Sequence, residues 1–582
     1  MQISELAYHL GKSTSEIKER LIELQFDGIE DIDDNTTLLD VAVSEVLESY
    51  GTDRSVLRSD GRTTRAAGWN AGAVKPVTHP YIKRGIERLQ KKYEVASGHQ
   101  EALAALGSHF VYAASCKIEG FESCQVALVR FSGAIESAFG LTREVLFFYS
   151  PFADFQIRTY NAARETLRSM DRPVTPDMIF FWSSDPRMRE RLDDWSSGNF
   201  LPVPLDFSKN DDPVALMSLI KEYIFSRDLF YETTPVRGER FFGRRKLLQG
   251  LRDDVQNQRV AGLFGLRKAG KTSVLSQLSL DISDSKTIVV MRDLESLPSP
   301  PDDPIPDLLR DLVDNISDEL KSRNYRTIDL ARLPEEFGIS DFRRSFQKVL
   351  RHLNPLGVKV ILLLDEIEYL TPSDRIDIHE GNMPSVSQFF GALRSLVQEN
   401  QNFTFMISGL TSSIVESGRL YGRPNPLFSW AKVHFLAPFE KAEADELAHS
   451  VGQKMGILFE DGALDALFEA SGGHAFLYRQ LASHVVEGIS SDLNKRRIRR
   501  VDVLNSLEGW RQLVTGHIRE MVDHVKRYYS DEAFLLEVLQ EEPEEFVSIA
   551  RDEAAAVGHL VKLGLIVKTD HEYELTPVLD FL

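Results

Sequence analysis

The chain has 582 residues, 42% of them hydrophobic and 27% charged, with a formal net charge of −20. Such a length exceeds a single hydrophobic core, so an ordinary globular composition is spread over several domains. The acidic balance excludes a dedicated nucleic-acid coat, though not one basic face, and no apolar run is long enough to predict a membrane span.

Residues 3–10 have helical apolar spacing, Gly11 and Lys12 form a turn, and Ser13-Thr-Ser-Glu16 is a capping box. It opens a second helix through residue 24, with Ile17, Leu21 and Leu24 on one stripe, and a third helix is expected over 38–47. The expected unit is a three-helix domain over residues 1–51. On Ile3, Leu6, Ala7, Leu10, Gly11, Lys12, Ile17, Leu21, Leu24 and Leu38 it resembles the small N-terminal domain of the bacterial translation initiation factor that delivers initiator tRNA. The resemblance implies an adaptor for a protein or RNA partner rather than a role in translation. A structural or dimerising role stands beside it, since the segment 30–34 is acidic. The start of the chain lacks the basic and apolar regions of a signal peptide, and a cytoplasmic protein is expected. Residues 52–79 lose apolar periodicity and carry Arg54, Arg58, Arg62, Arg65 and Lys75, which reads as a solvated basic linker.

Residues 80–228 alternate helices and apolar runs. Helices are expected over 81–93, 100–114, 156–170 and 188–195, and strands over 144–150, 177–183 and 200–206. Strand, helix, strand, helix, strand reads as a Rossmann-like sheet. A ligand of such a sheet sits at the C-terminal strand ends, near Asp154 and Asp185, whose commoner role is helix capping. Cys116 and Cys124 have neither zinc-site spacing nor a disulfide framework and read as reduced thiols.

The strongest signal follows. Gly265-Leu-Arg-Lys268-Ala269-Gly270-Lys271-Thr272 lies between an apolar run, 260–264, and the helical stretch that begins at Ser273. A glycine-rich loop between a strand and a helix is a phosphate-binding loop: its amides and the helix N-terminus cradle phosphate oxygens. Lys271 is expected to reach the β- and γ-phosphates and Thr272 to ligate Mg²⁺. The run 358–364 is a strand apolar on both faces, ending in Asp365-Glu366. Asp365 is expected to hold Mg²⁺ and Glu366 to orient or deprotonate the attacking water. A third strand, 403–408, ends near Ser408 and Thr411, candidate sensors of the γ-phosphate. With strands at 287–291 and 432–436, the expectation is five parallel strands with helical crossovers, of the ASCE type, over residues 229–440.

These motifs resemble the STAND class of P-loop ATPases, in particular its bacterial and archaeal members that end in a winged helix. Arg240-Phe-Phe242-Gly243-Arg244-Arg245 resembles the family's lead-in motif on the adenine and ribose side. Arg423-Pro-Asn-Pro-Leu427 resembles the loop before the last core strand. Ser471-Gly-Gly473-His474-Ala475 resembles the glycine-rich turn of the helical lid, where the family usually has proline in place of Ala475. The resemblance implies ATP or ADP with Mg²⁺ as ligands, with Phe242, Gly243, Arg244 and His474 lining the site beside Gly265, Lys268, Ala269, Gly270, Lys271, Thr272 and Ser273. It further implies a lid over 441–520, a winged helix over 521–582 and a nucleotide-dependent homo-oligomer. It places the protein in a bacterial signalling, stress or phage-defence response. Arg423 and Arg479 are the candidates for an arginine finger, with a surface salt bridge as the commoner role of either, and Glu368 is a further carboxylate candidate expected in solvent. The competing reading is a DNA-handling ATPase that uses the winged helix and the basic run 495–500. A third reading makes residues 80–228 an enzyme acting on nucleotides or NAD.

Overall fold

The computed structural model describes residues 14–23, 80–195, 200–205, 213–232, 234–298, 302–371, 383–490, 496–569, 573–577 and 579. The expected helices over 3–10 and 38–47, the linker 52–79, Lys495 and the last residues lie outside them. Residues 1–77 and 78–582 form two separate units. In the first, helix α1 (Thr14–Glu23) buries Ile17 and Leu21, the apolar stripe read from the sequence. All that follows concerns the second unit.

Its first layer opens with helices α2 (Pro80–Lys92) and α3 (Val95–Ala105). The helix expected over 100–114 stops early. Gly107 turns the chain at φ 70°, and strand β1 (His109–Ser115) begins two residues later. Strand β2 (Gln125–Arg130) was not expected at all. Both pair antiparallel, β1 with β2 and β2 with β3 (Glu144–Tyr149). The parallel part is β3, β4 (Val174–Trp182) and β5 (Leu201–Pro204), linked through α5 (Ile157–Arg168) and α6 (Met188–Trp195). The sheet is therefore mixed, in the order β1-β2-β3-β4-β5: the expected strand–helix–strand–helix–strand half is extended by an antiparallel pair that was not expected. Alternation builds its two cores. Phe147 and Phe180 face α2, α3, α4 (Gly133–Phe139) and α7 (Pro213–Phe225), while Phe148 and Phe181 face α5 and α6. Asp185 accepts the amides of Phe155 and Arg187 and pairs with Arg191, a turn-stabilising role.

The second layer is a five-stranded sheet: β6 (Ala261–Phe264), β7 (Thr287–Asp293), β8 (Lys359–Asp365), β9 (Phe403–Gly409) and β10 (Lys432–Phe435). All pairings are parallel and the order is β10-β6-β9-β8-β7, as expected for the ASCE type. One face packs on α10 (Ile305–Ser322), α11 (Ile339–Leu353) and α12 (Pro384–Glu399). The other packs on α8 (Arg245–Gln256) and α9 (Lys271–Ile282) and, in the same core, on the C-terminal helices.

The lid consists of α13 (Lys441–Lys454), α14 (Asp461–Ser471), α15 (Ala475–Glu487) and the first half of α16 (Arg500–Tyr528). Helix α16 is 29 residues long and runs unbroken through position 520, where a boundary was expected. After it come α17 (Ser530–Glu541), α18 (Pro543–Asp552), α19 (Ala554–Leu563) and the hairpin of β11 (Ile566–Lys568) and β12 (Tyr573–Leu575). Helix α18 was not expected: its first turn carries Glu544 and Glu545, yet Phe546 and Ala550 are buried. Three arginines of the basic run have partners within the chain. Arg496 stacks on Phe225 and donates to Met455 O, Arg499 pairs with Asp502, and Arg500 pairs with Glu469. Among the described residues, no helix is long and apolar enough to cross a membrane.

His559 on α19 bridges Glu416, at 3.5 Å, and Glu532, at 2.8 Å. The hydrogen bond to Glu416, then that to Glu532, raises its imidazole to about 9. A value raised in the folded state gives stabilisation that is complete below about pH 6.5 and is lost as pH rises through the folded value. The melting temperature should therefore fall between about pH 6.5 and pH 10, and fall less steeply in His559→Gln. Parallel curves for the two proteins would remove this role.

Candidate nucleotide site

The phosphate-binding loop leaves β6 at Gly265 and enters α9 at Lys271. Lys268 and Gly270 take φ of 59° and 100°, left-handed conformations of the kind that anion-binding nests use. A Cβ on Gly270 would meet nothing within 4 Å, so this residue faces open space. Lys271 is only 5% exposed, and its ammonium donates to the loop carbonyls of Gly265 and Leu266, each at 3.2 Å.

Strand β8 brings Asp365 to the same edge. The Thr272 hydroxyl donates to Asp365 Oδ2 at 2.7 Å, across 93 positions of sequence. Asp365 is fully buried, and burial raises its carboxyl while the Thr272 hydrogen bond opposes that. Glu366 follows at φ 54°, in the left-handed region, a turn that points its carboxyl into the cleft beside Lys271. Burial raises its carboxyl well above the carboxylate range, and the neighbouring Glu368 adds to this. Glu368 was expected in solvent. It is 9% exposed instead, because its Oε2 accepts the Leu410 amide at 3.1 Å and thereby ties β8 to the end of β9.

Ser408, on β9 between β6 and β8, is completely buried beside Asp365. Thr411 is buried on the loop beyond, where its hydroxyl accepts the Ser413 amide at 3.1 Å. The same loop is held by Tyr529, which donates to Leu410 O at 3.0 Å and accepts from Ser412 N at 3.2 Å.

The loop opens on a cleft of about 530 Å³. Phe242, Arg244, Lys268, Ala269, Gly270, Lys271, Thr272, Ser273 and Glu366 all line it. Arg244 takes φ 60°, stacks on Phe439 with its guanidinium 4.7 Å from the ring, and donates to Ala269 O at 3.0 Å. Its other terminal nitrogen is buried without a partner. Gly243 leaves room for Glu443 of the lid, which accepts the Arg244 amide. Burial lowers Arg244 to about 10. Gly265 lies behind the cleft against Leu436. His474 does not line it either. It is buried at the lid turn and held neutral by burial, at about 3, and the next residue, Ala475, forms the wall.

Other lining residues carried no usable sequence signal. Val236 closes one side, and its amide donates to Ser273 Oγ at 3.1 Å. His517 arrives from α16. Arg479 was expected in a surface salt bridge. It is buried, and donates to the carbonyls of Leu229, Phe230 and Arg240, pinning the lead-in segment to the lid. Arg423 is exposed on a short hairpin away from the cleft. Only spatial proximity unites these positions.

Oxygen ligands of Thr272 and Asp365 suit Mg²⁺, which takes one or two protein oxygens and completes its shell with phosphate and water. No cluster of three or more His, Cys, Asp or Glu that could hold a metal ion occurs among the described residues.

The glycine-rich turn after β6, the order of the five strands and the acidic end of β8 together define a P-loop α/β fold. Among solved structures, the chain is similar to the Walker-type ATPase of Pyrococcus abyssi, at 16% identity over 60% of this chain and 98% of that one, with a TM-score of 0.42. It is also similar to the ORC2 protein of Aeropyrum pernix (11%, 61% and 94%, TM-score 0.38) and the RuvB branch-migration motor of Thermotoga maritima (15%, 58% and 93%, TM-score 0.31). No protein-family model and no curated protein sequence matches the chain.

Gly409 closes β9 under this site. A Cβ there would lie 2.5 Å from Ile367 Cγ2 and 2.6 Å from Glu368 Oε2. Gly409→Ala should cost about 1–3 kcal/mol, the usual range for overpacking. A denaturant midpoint equal to that of the wild type would show that the turn after β8 yields freely.

Proposed function

We propose that the chain is a Mg²⁺-dependent ATPase whose bound nucleotide sets the arrangement of its C-terminal helices. The observation that carries this reading is the 2.7 Å hydrogen bond from Thr272 to Asp365. It brings the end of the phosphate loop and the end of β8 to one point, where a metal–triphosphate needs both.

Each residue then has a role. The loop amides and Lys271 hold the β- and γ-phosphates. Thr272 and Asp365 would hold Mg²⁺, which would supply neutralisation of charge on the phosphate oxygens. Glu366 orients and deprotonates the attacking water, for which it must first lose the proton that burial and Glu368 favour. Ser408, at the end of the intervening strand, is placed to sense the γ-phosphate, whereas Thr411 is engaged in capping. Phe242, Val236 and Arg244 form the base and ribose side.

The switch is of the STAND type. The three helices α17 to α19 with their hairpin have the order of a winged helix, and they share a core with the nucleotide domain. Tyr529 anchors them on the loop after β9, next to the sensor strand. That packing favours a lock on the resting state over a DNA-reading wing, as do the ion pairs that Arg499 and Arg500 make within the chain. Release with ATP would free surfaces for a homo-oligomer. The signalling, stress or phage-defence setting is what the family resemblance implies. Residues 1–51 would meet a protein or RNA partner.

Lys271→Ala should abolish nucleotide binding in equilibrium dialysis. Glu366→Gln should keep ATP affinity within about threefold and lower kcat by about 10²- to 10⁴-fold, as for loss of a general base. Turnover of Glu366→Gln at the wild-type rate would remove Glu366 from the chemistry. A switch further requires different particle masses by light scattering with ADP and with a non-hydrolysable ATP analogue.

A further inference from the structure

Helix α16 touches the phosphate loop at a contact to which the roles above give no part. Lys268 sets its ammonium 2.8 Å from Nδ1 of His517 and 4.6 Å from the centre of the Phe476 ring. An ammonium has donors only, so the imidazole nitrogen that faces it must accept and must be unprotonated. A second cation at that distance would be repelled. The groups facing His517 are Lys268 and Arg267 from the loop, Glu520 from its own helix, and the Phe476 ring from α15 at 5.1 Å. Glu520 is the one carboxylate in this set, and Arg267 already holds it at 3.3 Å. Burial, and then Lys268, keeps His517 below the ordinary imidazole value. Both Lys268 and His517 line the cleft.

We propose that His517 responds directly to phosphate: a nucleoside di- or triphosphate arriving at the loop is bound with uptake of a proton onto the His517 imidazole. Solvent supplies the proton, and no other bond is made or broken. The negative phosphate oxygens reverse the local potential, so Lys268 and His517 can both be cationic and share the anion instead of sharing one charge. The inference rests on reading the cleft as the nucleotide site, and it adds a residue from α16 to that site. The same helix continues to Tyr528, one residue before the Tyr529 anchor, so occupancy of the loop is felt by the element that carries the C-terminal helices.

The test is calorimetric titration of the full chain with Mg²⁺·ADP and with Mg²⁺ and a non-hydrolysable ATP analogue, at about pH 7.5, above the ordinary imidazole value. Repetition in buffers of different ionisation enthalpy gives the number of protons taken up. The wild type should take up close to one proton per nucleotide, and its affinity should fall up to about tenfold per pH unit above neutrality. His517→Gln should still bind but lose that uptake, while ionisation of the ligand itself is common to both proteins. Wild-type binding without proton uptake, or undiminished uptake in His517→Gln, overturns the proposal and leaves the nucleotide site standing. Absence of nucleotide binding by the wild type overturns both.

Discussion

The Thr272 to Asp365 hydrogen bond depends on strand order. Strands β6 and β8 are not neighbours; β9 lies between them, and all three run parallel. Their C-terminal ends therefore share one edge, and the two oxygens meet over Ser408. Reversal of any one strand would send a ligand to the opposite edge, at least one strand length away. The interior on both faces makes this order rigid, because a sheet buried on both sides cannot slip its register without exposing apolar side chains.

One of those faces is covered in an unusual way. Helices α8 and α9 do not complete it; Leu535, Leu560 and Ile566 from the C-terminal helices and hairpin lie in the same core as Leu263 and Leu363. Detaching those helices would bare apolar surface, at about 25 cal/mol for each Å². Only differential binding can offset that cost, and reversal of a 1:99 equilibrium needs about 5.5 kcal/mol. Contacts that reach from the phosphate loop to α16, and from the loop after β9 to Tyr529, are where such a difference can be made.

The mixed sheet of residues 109–204 is joined to the lid rather than tethered to it. The Leu229 amide donates to Met455 Sδ, Arg479 holds the carbonyls of Leu229 and Phe230, and Arg496 lies on Phe225. A Cβ at Gly140 would fall 2.3 Å from Gln453 O, so the two surfaces meet at backbone distance there. Helices α13 and α15 and this sheet therefore share a contact surface that includes buried groups.

The nucleotide core was legible because its chemistry is local. A phosphate loop needs glycines, a lysine and a hydroxyl within eight positions, and a doubly buried strand needs an unbroken apolar run such as the one before Asp365. The mixed sheet was half legible. Its parallel strands are continuous apolar runs, whereas β1 mixes half-buried and buried positions and merges in pattern with the helix before it. The burial of Glu368 and Arg479 and the contact of His517 left no mark in sequence, since each acquires its role from groups more than 40, 200 and 240 positions away, respectively. Sequence by itself therefore determined the glycine-rich loop and the acidic end of the apolar strand, because each pattern is complete within a short stretch of chain. Only the tertiary structure decided which distant side chains close over them, because that depends on the order of strands and on how the C-terminal helices share their core.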